Sequence, residues 1–430
     1  MSDIFPLLSL DEVRFIVTDC AGTTDFEVLE VHESSVSSVS GGFMSDYWRM
    51  KILVRLEDGT EKSYKFFAKT VPRNAGEHRQ FVLEVQCYVK EVGFYRKILP
   101  LLLKHLEKLD SARDTRDGRW APRCFFTRDD IVVMEDLSEF GFESISSREL
   151  LDWNKCAAVL KKMAIFHAAS IIFEEKEQML TGKKCSIGDL HPQFFAPVLD
   201  KSMPDDENKG WFKAGVRASV ALVPYLPKYK HNPNLQQMIQ EKMPGAFESI
   251  AKYRTSDKFR NVVCHGDLWS SNILFCQNKD TNPETVYFVD YQNILYVPPA
   301  MDILIFINTT NSKSFRERYH QEIVNVYYET FSSELLNHGL SPDDILSLEE
   351  LHNSLEYFGP PARVIAALYY QLIVMDSQTK KALFSSPDYY SVFFLIDRSS
   401  DVRKCFEEDE IYRNRLEEAL NELIENDILN

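Results

Sequence analysis

The chain has 430 residues, a formal net charge of −16 and a hydrophobic fraction of 44%. That hydrophobic content is typical of a folded globular protein and excludes a disordered chain, and the length suffices for two or three domains. The acidic balance argues against nucleic acid or an anionic membrane surface as the main partner, because both favour clustered Lys and Arg.

The cysteines and the first residues bear on the cellular compartment. The eight cysteines are scattered without a CxxC pair, which is typical of reduced thiols in a cytosolic protein. The chain starts without a basic segment and a long apolar core, so no signal peptide is indicated. The longest uninterrupted apolar runs, such as residues 303–307, are too short to span a bilayer. We therefore predict a cytoplasmic protein with no membrane span and no obligate protein partner.

Strand-forming patterns dominate the first seventy residues. After a short helix predicted over residues 9–20, alternating apolar residues predict strands over 27–39, 47–56 and 64–71. A glycine turn over residues 40–45, which contains Gly41, Gly42 and Ser45, joins two of these strands. Its unobstructed amides can lie over phosphate groups, although the same turn is equally compatible with an ordinary hairpin.

Lys69 lies on the last of these strands. On a strand, Phe67, Lys69 and Val71 share a face. If that face looks into a cleft, Phe67 lines a flat apolar slot and Lys69 reaches a phosphate. Taken alone, a lysine such as Lys69 is more often a solvated surface residue than a phosphate ligand.

A helix and a buried strand follow. Residues 77–103 have helical apolar spacing, and we predict that this helix ends near Pro100. Glu84 and Glu91 lie on one face of it, and either can pair with Lys69. The buried strand over 131–137 ends in an acidic pair, Glu135 and Asp136, which suits a hinge between two lobes or an ordinary strand end.

The remainder is predicted to be mainly helical, with one exceptional loop. A helix from residue 150 carries His167 on its apolar stripe, where a histidine is more often a satisfied core residue than a catalyst. Residues 263–275 place Asp267 and Asn272 in a polar loop between two apolar runs, and a second apolar run ends in Asp290. Phosphoryl transfer uses such an arrangement, in which carboxylates and an amide position a hydroxyl and a metal ion.

The later helices are predicted over residues 319–336 and 362–374 and over a tail through residue 424. Six aromatic residues in this part are predicted to belong to the core: Tyr369, Tyr370, Tyr389, Tyr390, Phe393 and Phe394.

The order of these features resembles the α+β, two-lobed protein-kinase-like fold. The resemblance implies a small β-rich N-terminal lobe over residues 1–136, which ends at the hinge, and a larger helical C-terminal lobe over 137–430. The wording H-G-D-L-W-S-x-N from His265 to Asn272 looks most like the ecdysteroid-kinase-like (CHK kinase-like) family, which is related to aminoglycoside and choline phosphotransferases. Two further stretches match it: Phe288-Val289-Asp290-Tyr291-Gln292 and Pro299-Ala300-Met301-Asp302.

The resemblance implies roles for the matching residues. Asp267 would be the base that deprotonates the acceptor hydroxyl, with Asn272 beside it, and Asn272 and Asp290 would hold Mg²⁺ on ATP. Lys69 would bind the ATP phosphates, steadied by Glu91 as the better fit or by Glu84. The remaining nucleotide contacts would come from Gly41, Gly42, Ser45 and Phe67 and from the backbone of Glu135 to Leu137. Asp302 would support the catalytic loop structurally.

Two features of the sequence argue against a protein as the substrate. Gly266 occupies the place where a regulated protein kinase usually has Arg, and only about ten residues join Asp290 to the helix at Asp302. We therefore expect an ATP- and Mg²⁺-dependent kinase for the hydroxyl of an ecdysteroid or a similar sterol-like or foreign alcohol, with pocket walls from 174–260 and 350–400. A phosphotransferase for choline, ethanolamine or an aminoglycoside, and a pseudokinase binding protein, are the alternatives. Neither the individual alcohol nor the oligomeric state follows from the sequence.

Overall fold

Five antiparallel strands form the first sheet of the computed structural model, which describes residues 6–36, 44–73, 76–106, 119–195, 210–253, 258–276, 285–384 and 387–429. The sheet order is β1-β2-β3-β5-β4. The strands are β1 Phe26–Ser35, β2 Asp46–Leu56, β3 Glu61–Thr70, β4 Cys124–Arg128 and β5 Ile131–Glu135. Three predicted strands therefore exist, with small shifts at their ends.

Helix α1, Leu10–Ala21, packs against one face of this sheet. Ser9 caps the helix in a capping box with Glu12, and Gly22 ends it in the left-handed conformation. The buried face of α1 carries Val13, Ile16 and Val17, which join alternate residues of β2 in one apolar cluster. The helix predicted over residues 9–20 is confirmed.

The long helix predicted over residues 77–103 is broken. It consists of α2 Glu77–Val85, α3 Cys87–Gly93, a π turn Phe94–Ile98 and α4 Leu99–Leu103. Gln86 separates α2 from α3 because its φ of 58° is left-handed. The segment ends at Leu103, as predicted and three residues beyond Pro100, and this proline occupies the first turn of α4, where a missing N–H costs nothing.

Two small sheets frame the loop that contains Asp267. β6 Phe142–Ser144, β8 Ile273–Cys276 and β9 Val286–Phe288 form the first, in the order β6-β8-β9. β7 Val262–Cys264 pairs with β10 Leu295–Val297 in the second. Short 3₁₀ turns occur at Leu137–Phe140, Val223–Tyr225, Ser270–Asn272 and Tyr291–Asn293.

The rest of the described chain is helical. The longer helices are α5 Trp153–Thr181, α8 Trp211–Leu222, α9 Leu235–Tyr253, α10 Ala300–Thr310, α12 His320–Asn337, α14 Leu348–Ile373, α17 Ser399–Glu408 and α18 Glu410–Leu423. The shorter ones are α6 Ile187–Leu190, α7 Pro192–Phe195, α11 Lys313–Arg318, α13 Pro342–Ile345, α15 Ser377–Leu383 and α16 Pro387–Ser391, with π turns at Val392–Ile396 and Ile424–Ile428. A β-rich N-terminal region and a mostly helical remainder confirm the α+β, kinase-like class; the lobe boundary at residue 136 stays a prediction.

Helix α14 is longer than predicted. The sequence predicted a helix only from residue 362, because proline normally ends a helix. The helix instead runs through Pro360 and Pro361. It packs against α10 on one side and α18 on another, so tertiary packing overrides the local signal.

Helix α5 is the central helix of the C-terminal region. It is long and apolar enough to cross a membrane, but 89% of its most apolar window is buried inside the protein. In the sequence, Lys161 and Lys162 divide the apolar pattern of this helix, so it contains no long uninterrupted apolar run. A helix that is apolar all round belongs in the interior of a large domain, and α5 packs against α12 there.

Candidate active site

Asp302 holds the catalytic loop from beneath. Its carboxylate accepts hydrogen bonds from the backbone N–H groups of His265, at 2.6 Å, and Gly266, at 2.8 Å. His167 Nε2 lies 3.1 Å from Asp302 Oδ2, and His167 Nδ1 lies 2.8 Å from the hydroxyl of Tyr327. Asp302, His167 and Tyr327 are fully buried. The structure confirms that Asp302 supports the loop and that His167 is a satisfied core residue.

Gly266 is the point of closest approach in this loop. Its φ of 76° lies in the left-handed region, and a Cβ atom here would collide with the backbone oxygen of Asn293. No other residue fits both the conformation and the space. An arginine, as in regulated protein kinases, is therefore sterically excluded at residue 266.

Asp267 and Asn272 contact each other across the loop. The Asn272 Nδ2 atom donates to the backbone oxygen of Asp267 at 2.8 Å and to its Oδ2 at 3.1 Å. Since the amide nitrogen is used in this way, the amide oxygen of Asn272 is the atom left to face a cation.

The ionisation of Asp267 is balanced near neutrality. Burial, and next the negative charge of Asp290, raise the pKa of Asp267 to about 7, although hydrogen bonds from the side chains of Tyr369, Asn293 and Trp269 oppose the rise. A carboxyl group with a pKa near the working pH suits general-base catalysis.

Lys69, Glu91 and Asp290 meet from three separate elements. Lys69 Nζ lies 2.6 Å from Glu91 Oε2 and 2.5 Å from Asp290 Oδ1. Glu91 is the carboxylate that pairs with Lys69, and the alternative, Glu84, is wrong. The side chain of Glu84 is exposed and accepts a hydrogen bond from Gln80 instead.

Asp290 has a strained backbone. Its φ of 71° and ψ of 60° are left-handed, which costs a residue with a Cβ atom roughly 1–2 kcal/mol. Such outliers concentrate at functional sites, where the surroundings hold them in place. The conformation turns the chain directly after β9, so that the carboxylate meets Lys69.

The cluster has more negative than positive charge. Burial alone would lower the pKa of Lys69, but Asp290 and Glu91 hold it well above its ordinary value. Burial, assisted by the charge of Asp290, raises the pKa of Glu91 to about 7. One ammonium group therefore contacts the carboxyl groups of Glu91 and Asp290, and the carboxyl group of Asp267 lies close enough to Asp290 to be affected by its charge. Such hard oxygen atoms are what Mg²⁺ prefers, so these residues fit a divalent cation.

The sequence comparison agrees with this geometry. The profile of the ecdysteroid kinase-like family matches residues 40–339, about seven-tenths of the chain. The chain belongs to the ecdysteroid kinase-like family. Membership places it among small-molecule, kinase-like phosphotransferases, as the resemblance implied. No curated protein matches the chain.

The residues predicted to contact the nucleotide all lie within the range that the family profile matches. The structure describes some of them. Gly41 and Gly42 lie outside the described residues. Ser45 is buried, and its hydroxyl has no hydrogen-bond partner within the described part of the chain. It stands two residues before Tyr47, which is opposite Lys69 in the sheet. The ring of Phe67 is partly buried, 5.8 Å from the ring of Tyr47. The nucleotide contacts of these residues stay predictions.

The predicted hinge is tied to the first sheet. The Arg49 Nε atom lies 3.3 Å from Asp136 Oδ2, and its Nη2 donates to the hydroxyl of Ser138 at 3.2 Å. The backbone N–H of Glu135 donates to the oxygen of Arg123 at 2.8 Å. Adenine contacts from the backbone of Glu135 to Leu137 stay a prediction.

Tyr369 is a site residue that sequence reasoning assigned to the core. Its hydroxyl hydrogen-bonds with the Asp267 carboxylate, so that assignment was incomplete. Tyr370, Tyr390, Phe393 and Phe394 are buried as predicted. Tyr369 belongs to α14, beyond the part of the chain that the ecdysteroid kinase-like profile matches. Trp269, by contrast, lies inside the signature loop, so the motif itself could have identified it as a site residue.

Proposed function

We propose that this protein transfers the γ-phosphoryl group of ATP to the hydroxyl of a small alcohol. The observation that carries the proposal is the proximity of the Asp267–Asn272 pair to the cluster of Lys69, Glu91 and Asp290, since the charge of Asp290 acts on Asp267. Catalysis of phosphoryl transfer consists mainly of positioning and charge neutralisation, and these residue types can do both.

Each residue has a distinct task in this proposal. Asp267 orients the acceptor hydroxyl and takes its proton. Meanwhile the new O–P bond forms, and the bond between the γ-phosphorus and the leaving ADP breaks. Asn272 restrains the Asp267 carboxylate and, with Asp290, would hold Mg²⁺. Lys69 binds phosphate oxygens, and Glu91 fixes its ammonium group. When bound, ATP would supply the phosphoryl group, and the positive charge of Mg²⁺ would offset the negative charge of the carboxylates.

The acceptor is proposed to be an ecdysteroid or a similar sterol-like or foreign alcohol. Family membership supports this class, as does the aromatic Tyr369 beside the base. The excess of carboxylates around Lys69 favours the alternative, a cationic acceptor such as choline, ethanolamine or an aminoglycoside. A binding protein without catalysis is disfavoured by the intact set of Lys69, Asp267, Asn272 and Asp290. We propose that the protein acts in the cytoplasm without an obligate protein partner.

Substitution of Asp267 tests the proposal. Asp267→Asn should lower phosphate transfer by about 10²–10⁴-fold, the usual contribution of a general base, and should leave nucleotide binding largely intact. Asp290→Ala should instead weaken MgATP binding. The assay uses labelled ATP with a panel of ecdysteroids, sterols, choline and plant phenols, read by mass.

The control is Asp129→Asn, because Asp129 is a 95% exposed carboxylate remote from the cluster. Unchanged turnover in Asp267→Asn would contradict the assignment of the base. Unchanged MgATP affinity in Asp290→Ala would contradict the metal role.

A further inference from the structure

Arg398 is a fully buried cation that forms no ion pair within the described residues. Its Nε atom donates to Gln371 Oε1 at 2.7 Å. In the described part of the chain, its Nη1 and Nη2 atoms have no hydrogen-bond partner, and no carboxylate forms an ion pair with it. Two N–H groups on each of these atoms are therefore unused.

The surroundings of Arg398 are built to hold a guanidinium group. Gln371 is itself fixed, because its Nε2 atom donates to the Gly215 oxygen at 3.0 Å and the Ser219 hydroxyl at 2.9 Å. A Cβ atom at Gly215 would collide with Arg398 Nη2, so glycine provides the space. The ring of Trp211 lies 5.4 Å from the Arg398 Cζ atom.

An unpaired buried charge is costly to a fold. Burial lowers the pKa of Arg398 to about 10, so the group remains charged at neutral pH. Proteins normally pair such charges or place them where a ligand completes them. Gln371 and the aromatic rings stabilise part of the guanidinium and leave its outer edge unsatisfied.

Two aromatic residues, Trp211 and Tyr369, lie between Arg398 and the catalytic base. The ring of Trp211 contacts that of Tyr369 edge-on, with 5.9 Å between centroids, and the Tyr369 hydroxyl bonds to Asp267. A line of two aromatic rings therefore connects the base to Arg398. The guanidinium itself is fully buried, so a ligand reaches it only when Trp211, which is partly buried, moves aside.

We propose that Arg398 is a second recognition point for the acceptor, binding a carbonyl or carboxylate oxygen of the alcohol whose hydroxyl meets Asp267. The apolar skeleton of the alcohol lies along Tyr369 and Trp211, and its oxygen accepts from the Nη atoms. This inference rests on the proposed function and narrows its substrate class. It disfavours cationic acceptors, because Arg398 repels them.

Matched pairs of ligands test the proposal by binding. Each pair contains a hydroxysteroid with a ketone or carboxylate and the same steroid with a methylene or methyl group in its place. Affinities are measured by calorimetry with Mg²⁺ and a non-hydrolysable ATP analogue. We expect the wild-type protein to bind the oxygen-bearing member at least about tenfold more tightly, as for a hydrogen bond to a charged group.

Three variants assign the effect to the guanidinium. Arg398→Met should abolish the discrimination, and its melting temperature should be unchanged or higher, because an unpaired charge is removed. Arg398→Lys should keep only part of the discrimination, since Lys lacks the planar fork. Arg403→Met should behave as the wild type, because Arg403 lies on the exposed face of α17, the helix that begins directly after Arg398.

The outcomes separate this inference from the proposed function. Equal binding of both pair members by the wild-type protein, or unchanged discrimination in Arg398→Met, overturns the role of Arg398. If Arg398→Met does not fold, unchanged discrimination in Arg398→Lys overturns it. Discrimination without phosphate transfer would sink the proposed kinase activity and leave the binding role intact.

Discussion

Four side chains donate hydrogen bonds to Asp267 or its immediate backbone: Asn272, Asn293, Tyr369 and Trp269. Each bond to the carboxylate favours its ionised form, whereas burial and the charge of Asp290 favour the protonated form. Burial and the charge of Asp290 prevail and raise the pKa to about 7, so both forms are populated near neutral pH. Removal of one donor therefore changes the fraction of active enzyme.

The substitution Tyr369→Phe tests this balance. Loss of the hydroxyl donor should raise the pKa of Asp267 and move the acidic limb of the rate profile to higher pH. A lost hydrogen bond of about 1 kcal/mol corresponds to roughly a fivefold lower rate at pH 6, with little loss at pH 8.5. The measurement is kcat/KM for the alcohol against pH at saturating MgATP.

Tyr370→Phe is the matched control, because Tyr370 is the next residue of α14 and is not a donor to Asp267. A profile that shifts equally in both variants, or in neither, would contradict the role of Tyr369.

The limits of sequence reasoning at this scale are clear from Glu91 and Tyr369. Glu84 and Glu91 are seven residues apart and share a face only on a continuous helix. The left-handed Gln86 breaks that helix, and no local signal marks the break. Tyr369 reaches Asp267 through tertiary packing about a hundred residues along the chain, which spacing rules do not predict. Asp267, Asn272 and Asp290 were predictable because adjacent strands and one loop position them.

The catalytic loop depends on one glycine. Gly266→Ala combines a left-handed φ with a collision at the Asn293 oxygen. Gly339→Ala is the matched control, because Gly339 has a φ of 72° and open space around it. We expect about 1 kcal/mol of lost stability for Gly339→Ala and several kcal/mol for Gly266→Ala. Urea unfolding measures both; equal losses would mean that the loop yields to a side chain.

The ion pair between β3 and α3 is expected to be strongly coupled. Lys69→Met leaves the fully buried Glu91 carboxyl without its cation, which typically costs about 3–5 kcal/mol at high pH. Adding Glu91→Gln should recover part of that loss. Glu84→Gln should change stability by less than about 0.5 kcal/mol. A double-mutant cycle from unfolding curves gives the coupling, and a value near zero would contradict the pair.

The stability of the whole protein should depend on pH through its raised carboxyl groups. Glu91, Asp267 and Glu174 have folded pKa values of about 7 against ordinary values of 4.5, 3.8 and 4.5. The folded state therefore holds more protons than the unfolded state between about pH 4.5 and 7, and its extra stability is lost as pH rises through 7. Buried His265, whose pKa is lowered by burial, acts in the opposite direction.

Among the described residues, the three carboxyl groups outweigh His265 and Lys380, whose pKa burial lowers to about 8, so the melting temperature without ligands should be higher at pH 6 than at pH 8. The difference should shrink in Glu91→Gln, because glutamine cannot take up the proton. It should also shrink with saturating MgATP, because the bound Mg²⁺ then supplies the positive charge that the protons supply in its absence. A lower melting temperature at pH 6 would contradict the raised pKa values.

The fold class was predictable from the order of features along the chain. A strand-rich beginning, a lysine, a buried strand and a loop with Asp and Asn recur in the structure in that order. The packing of the last ninety residues was not predictable in the same way. Helix α14 crosses two prolines, and Arg398 looked like any other charged residue until its burial was visible.

The burial of α5 has a consequence for biosynthesis. This helix is the apolar centre of the C-terminal region, and its partner α12 begins about 140 residues after α5 ends. At roughly 5–20 residues per second, the ribosome needs about 7 to 30 s to make that partner. During this interval the nascent chain presents an uncovered segment with the length and composition of a membrane anchor. We therefore expect chaperones to shield the α12-facing side of α5 from aggregation and from the membrane-insertion machinery until translation passes residue 337.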